Sequence, residues 1–202
     1  MIRQDGFLFL IFEDFNMEIR STTCGEMTSH FHNLGITNFE EACDWVRNLP
    51  YKRNQNNSDV FCVFKDKGGT CSTKHALLKR YAEEIQEPQI KLMLGIFNMN
   101  SKNTSKISEV VKKYGLKEMP EAHSYLKQNN QILDCTRRNS KPEDFLGDLV
   151  EEIEIVPAQI PDFKTEYHKN YLRKYLKENP QLPYSTEEFW KIREECIAAL
   201  QQ

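Results

Sequence analysis

The chain has 202 residues, 39% of them hydrophobic and 28% charged, with eight glycines and eight prolines. This is the composition of one ordinary globular domain and excludes a collagenous, low-complexity or largely disordered chain. Lys and Arg number 27 against 30 Asp and Glu, a net charge of −3, so no overall positive field favours a nucleic acid.

The longest apolar run, over 7–12, reads as a strand or buried segment. It is far shorter than the roughly 20 residues that cross a bilayer. Asp5 offsets Arg3 and no small-residue cleavage site follows, so neither a membrane span nor export is expected, and the expected compartment is the cytoplasm. The polar stretch through Asn33 reads as loop. Asn38 is a good N-cap for a helix over 39–49, with Glu40 and Glu41 in its first turn and Phe39, Ala42, Cys43 and Val46 on one face; Pro50 ends it. A turn-rich stretch over 51–59 leads to the short apolar run 60–64 and a Gly68-Gly69 loop. Thr70 then caps a helix over 71–84, whose Ala76, Leu77, Leu78, Tyr81, Ala82 and Ile85 form a broad apolar face.

Residues 91–99 are nearly continuously apolar and suit a central strand. A short helix over 105–114 is closed by Gly115. Segments 122–126 and 132–136 flank the polar turn Gln128-Asn129-Asn130-Gln131, the pattern of a hairpin. Another strand is expected over 150–156. Two helices finish the chain, over 163–178, stopped by Asn179-Pro180, and over 186–200, opened by Ser185 with Glu188 at capping-box spacing. Lys169, Arg173, Lys174 and Lys177 read as a solvated basic stripe, and His168 as a surface residue, with a place lining the cleft as the alternative. With no repeat and no Gly/Ser or Pro-rich linker, residues 1–202 read as a single domain.

Six scattered cysteines without a CxxC pair read as reduced thiols. The nearest metal-like groupings, Cys24 with His30 and His32 and Cys71 with His75, lack the ligand spacing of a zinc site, so no metal and no organic cofactor is expected.

Cys71 carries the chemistry. A cysteine in the first turn of a helix meets the positive end of the macrodipole and unpaired N–H groups, which favour thiolate over thiol. Lys74 adds a cation in a turn where lysine is unfavourable unless something anionic lies nearby. The small residues ahead of Cys71 leave room for a carbonyl to approach its sulfur, with its own N–H facing the developing oxyanion. A hairpin brings facing side chains to within about 5 Å, so Asp134 on its second strand can orient His123 on its first while the other ring nitrogen faces Cys71. His75, one turn after Cys71, competes for the role of base but falls on the core face of the helix.

Gly-Thr-Cys at a helix start, a following apolar strand, then Ala-His-Ser-Tyr-Leu and Ile-Leu-Asp-Cys-Thr together resemble the three motifs of the transglutaminase-like superfamily. The resemblance covers about 60–137, with the C-terminal helical part at about 163–202 outside it. It implies an α+β, papain-like core in which a nucleophile helix packs on an antiparallel sheet, and it implies Cys71 as nucleophile, His123 as general base and acid, and Asp134 as the group that orients it. It also implies an oxyanion donor on a loop ahead of the nucleophile, for which Asn54 and Gln55 are the candidates. The expected activity is thiol-dependent acyl transfer on an amide of a peptide, protein or small molecule through a thioester, with hydrolysis ahead of transamidation. The alternatives are a non-catalytic peptide-binding module of the same fold and a redox or metal sensor. Ser72, and Ser124-Tyr125 after His123, stand where many members of that superfamily carry aromatic residues.

Overall fold

Two long apolar strands set the architecture of the protein, described by a computed structural model over residues 25–200. β1 (Ile90–Asn100) and β2 (Glu118–Gln128) pair antiparallel along their whole length, Ile90 opposite Gln128 and Asn100 opposite Glu118. Successive side chains of a strand point to opposite faces. Leu92, Leu94 and Ile96 of β1 therefore enter one buried cluster and Met93, Phe97 and Met99 another. Burial on both faces explains why β1 reads as an unbroken apolar run. β3 (Gln131–Leu133) flanks β2 and β4 (Leu149–Ile155) flanks β1, giving an antiparallel sheet of order β3-β2-β1-β4.

Helices cover both faces. On one side lie α1 (Glu26–His32), α2 (Phe39–Asn48), α3 (Cys62–Asp66) and α4 (Cys71–Glu84), with Leu77, Leu78 and Tyr81 of α4 packed into the cluster of Leu92, Leu94, Ala122 and Leu126. On the other lie α5 (Ser108–Lys113), α6 (Phe163–Glu178) and α7 (Thr186–Ala199), whose Val111, Leu172, Phe189 and Cys196 join Met93, Met99 and Tyr125. The α+β expectation holds at this level. No helix among the described residues is long and apolar enough to cross a membrane.

The local signals for caps are realised. Asn38 accepts from the Glu41 N–H at 2.9 Å, and Ser185 and Thr70 both close capping boxes. The stretch expected as loop through Asn33 contains α1 instead, because a distant group completes its start. The Glu84 carboxylate, at the end of α4, accepts from the N–H groups of Met27 (3.2 Å) and Thr28 (2.8 Å), while Met27 and Phe31 are buried. The expected early strand over 7–12 and Cys24 lie outside the described residues.

The hairpin between β2 and β3 turns on Asn129 (φ 49°) and Asn130 (φ 67°), the paired left-handed conformation of a two-residue turn that matches strand twist. A β-branched residue pays about 1–2 kcal/mol in that conformation. Asn130→Val is accordingly expected to lower stability by about that amount in urea unfolding; an unchanged midpoint would show that the turn does not set the register. β3 pairs only as far as Leu133 with Leu126, so among the described residues no strand pairs with β2 on that side from Tyr125 towards Glu118. The start of α4 sits beside that stretch of β2.

Candidate active site

Cys71 is the first residue of α4. Thr70, extended at φ −83° and ψ 173°, accepts from the Thr73 N–H, and Thr73 Oγ1 accepts from the Thr70 N–H at 3.0 Å. A Cβ on Gly69 would lie 2.6 Å from Thr73 Oγ1, so the glycine lets the chain enter this cap. The cap leaves the N–H groups of the first turn facing the sulfur's surroundings. Cys71 keeps 6% of its surface exposed, and it lies between two cavities, of about 280 and about 150 Å³, that both include it in their walls. The thiol is thus desolvated yet reachable.

His123 faces the second cavity, on the same side of β2 as Tyr125, with the rings of Phe97, Tyr125 and Phe145 at 6.0, 6.0 and 4.9 Å. Its Nε2–H donates to Asp134 Oδ2 at 2.9 Å, which leaves Nδ1 for the sulfur, and the ring is near enough to the Cys71 side chain for the two to shift each other's ionisation. Asp134 is the first residue after β3; its Oδ1 accepts from the Thr136 N–H at 2.9 Å and is fixed by it. The Ser124 N–H of β2 also favours the thiolate of Cys71. Lys164, in the first turn of α6, places Nζ 3.9 Å from that sulfur and donates to Ser72 Oγ.

Burial alone would push the Cys71 thiol up, but the Lys164 ammonium, the His123 imidazolium and the Ser124 N–H together hold it well below its ordinary value. For His123, burial works downwards and is outweighed by the Asp134 carboxylate and the Cys71 sulfur, which raise it to about 10. Asp134 is pulled down by His123 and His75 against its own burial. The favoured state of the site is thiolate, imidazolium and carboxylate in a row.

The three side chains picked out on helix, strand and strand end therefore meet. The proposed oxyanion donors do not serve, for a geometric reason. Asn54 reaches the first cavity, but its amide hydrogens go to Asp66 Oδ2 and the Gly68 carbonyl, both at 2.9 Å, and its oxygen accepts from Thr73. Gln55 is exposed and reaches neither cavity. His75 is no competitor as a base: Nδ1–H donates to the Cys71 carbonyl and Nε2 accepts from the Cys135 N–H, both at 2.7 Å. Lys74 feels the negative charge of Cys71 and Asp134, but its hydrogen bonds go elsewhere. It is buried under the site and donates to the carbonyls of Leu49 (2.6 Å) and Thr136 (2.7 Å), tying α4 to the segment that carries Asp134.

His168 is not on the surface but in the alternative place, on the cleft wall. It is buried, lines the first cavity, bonds the Pro120 carbonyl at 2.9 Å, and burial brings it down to about 4. Sequence reasoning missed Lys164 and a buried ion pair in which Arg193 Nε donates to Glu121 Oε2 at 2.6 Å. Lys164 and Arg193 come from helices beyond the motif region, and no short spacing links them to Cys71. No family model, curated protein or solved structure matches the chain.

Proposed function

We propose that the protein is a cysteine acyl-transfer enzyme acting on amides, of the papain-like, transglutaminase-like type that its motifs resemble. The observation that carries this reading is the row Cys71, His123, Asp134, with the imidazole braced by the acid at 2.9 Å and the sulfur between two cavities. The thiolate donates its electron pair to the substrate carbonyl carbon, and the carbonyl π pair moves to oxygen. Collapse of that oxyanion re-forms C=O and breaks the C–N bond, while the His123 imidazolium gives its Nδ1 proton to the departing amine. Water then attacks the thioester; His123 takes its proton, and the acid leaves as the thiolate is regenerated. Asp134 holds the ring and its charge throughout.

Activity requires thiolate and imidazolium together, which fixes the sign of its pH dependence. It rises as pH climbs through the depressed Cys71 value and falls as His123 loses its proton near 10. Iodoacetamide labelling of Cys71 against pH is expected to show a reactive thiolate already at neutral pH. A single inflection near the free-cysteine value of about 8.5 would overturn the reading and favour the peptide-binding module instead.

A further inference from the structure

Building on the acyl-transfer reading, we propose that Lys164 is the second oxyanion donor of this site, beside the Cys71 N–H, and that Ser72 holds it there. Three observations converge. Asn54, a side-chain amide on the wall of the 280 Å³ cavity, has its hydrogens committed to Asp66 and Gly68. Arg53 and Arg193, the other cations of the 280 Å³ cavity, are paired with Glu194 and with Glu121 and Glu194. Lys164 is bonded to a hydroxyl and to the nucleophile: its Nζ donates to Ser72 Oγ and lies 3.9 Å from Cys71 Sγ.

The oxyanion oxygen forms on the carbon joined to that sulfur, two bonds away from it. An ammonium 3.9 Å from the sulfur is near enough to lie within the roughly 2.7–3.1 Å that such donors need, when the oxygen projects towards the 280 Å³ cavity. The charge of the ammonium then shifts its partner from the thiolate of the free enzyme to the oxygen of the tetrahedral intermediate, as the negative charge itself moves from sulfur to oxygen. Ser72 stands where the resembled superfamily often has an aromatic ring; a hydroxyl there accepts from Lys164 and from Ser124 Oγ (3.4 Å), and so positions the cation.

The test separates oxyanion stabilisation from simple support of the thiolate. Alkylation by iodoacetamide needs the thiolate but forms no oxyanion, whereas acylation by p-nitrophenyl acetate needs both. Each is measured on the full chain at the pH plateau of each variant, with Cys71→Ala as the blank. In Lys164→Met, acylation is expected to slow about 10²–10³-fold while alkylation stays within a few-fold; Lys164→Arg is expected to recover part of the loss, and Ser72→Ala to show a smaller fall in acylation alone. Lys164→Gln serves if the methionine variant does not fold. Equal losses in the two reactions, or acylation unchanged, would overturn the assignment of Lys164 and leave the acyl-transfer reading standing. A wild-type protein that is alkylated at Cys71 but never acylated would overturn both.

Discussion

Replacing His123 with alanine is expected to slow Cys71-dependent acyl transfer by about 10⁴–10⁶-fold, the scale on which triad members act in cysteine and serine acyl transfer. In the proposed reaction the imidazolium has two tasks, holding the thiolate and protonating the departing amine, and only the first has a substitute in Lys164 and the Ser124 N–H. Alkylation of Cys71 is therefore expected to fall much less than acyl transfer in this variant. Cys71→Ala combined with His123→Ala should be no slower than Cys71→Ala alone, because the two act as one unit. The ring also fills space among Phe97, Tyr125 and Phe145, so His123→Gln, which keeps more of the volume, and a melting curve are needed to separate chemistry from packing. A variant with either substitution that retained a tenth of the wild-type acyl-transfer rate would remove His123 from the mechanism.

What could be read in the chain is what is encoded locally. Thr70 and Thr73 cap α4 within one turn, and Asn129-Asn130 closes the hairpin in two residues, so the positions of Cys71 and of the His123 strand were legible together with the alternation that aims each side chain. The candidate site beyond Cys71, His123 and Asp134 is assembled from distant pieces. Lys74 and Lys164 are both lysines in the first turn of a helix, the same local signal, and its meaning differs with what the fold brings near. Lys74 meets the carbonyls of Leu49 and Thr136, and Lys164 meets Ser72 and Cys71. Asn54 is a similar case: a polar residue on the right loop whose hydrogens are consumed by Asp66, 12 residues on, and by Gly68. The start of α1 was illegible because its cap is the carboxylate of Glu84, more than 50 residues away in the chain.

The second large effect is expected at Glu121 and Arg193. Glu121 lies on β2 two residues before His123, on the same face, and Arg193 reaches it from α7; their side chains keep 9% and 12% of their surface. Removing one member of a buried pair leaves the other charge without its partner, which costs about 3–5 kcal/mol. Arg193 also donates to Glu194 at 2.6 Å, so Glu121→Ala is expected near the lower end, about 3 kcal/mol, and Arg193→Met, which strands the carboxylate, nearer the upper. Glu121→Leu with Arg193→Met removes both charges and is expected to regain most of the loss, since an apolar pair of similar volume avoids the desolvation of two ions. The sign with pH follows from the shift. Burial would raise Glu121, but Arg193, His168 and Lys164 bring it from 4.5 to about 2. Its contribution is then fully present above about 4.5 and disappears as pH falls through about 2, so the gap in urea stability between wild type and Glu121→Gln should narrow across that window. A gap that stays constant with pH would mean that the pair holds α7 to the sheet by packing and hydrogen bonds, with no contribution from its charge.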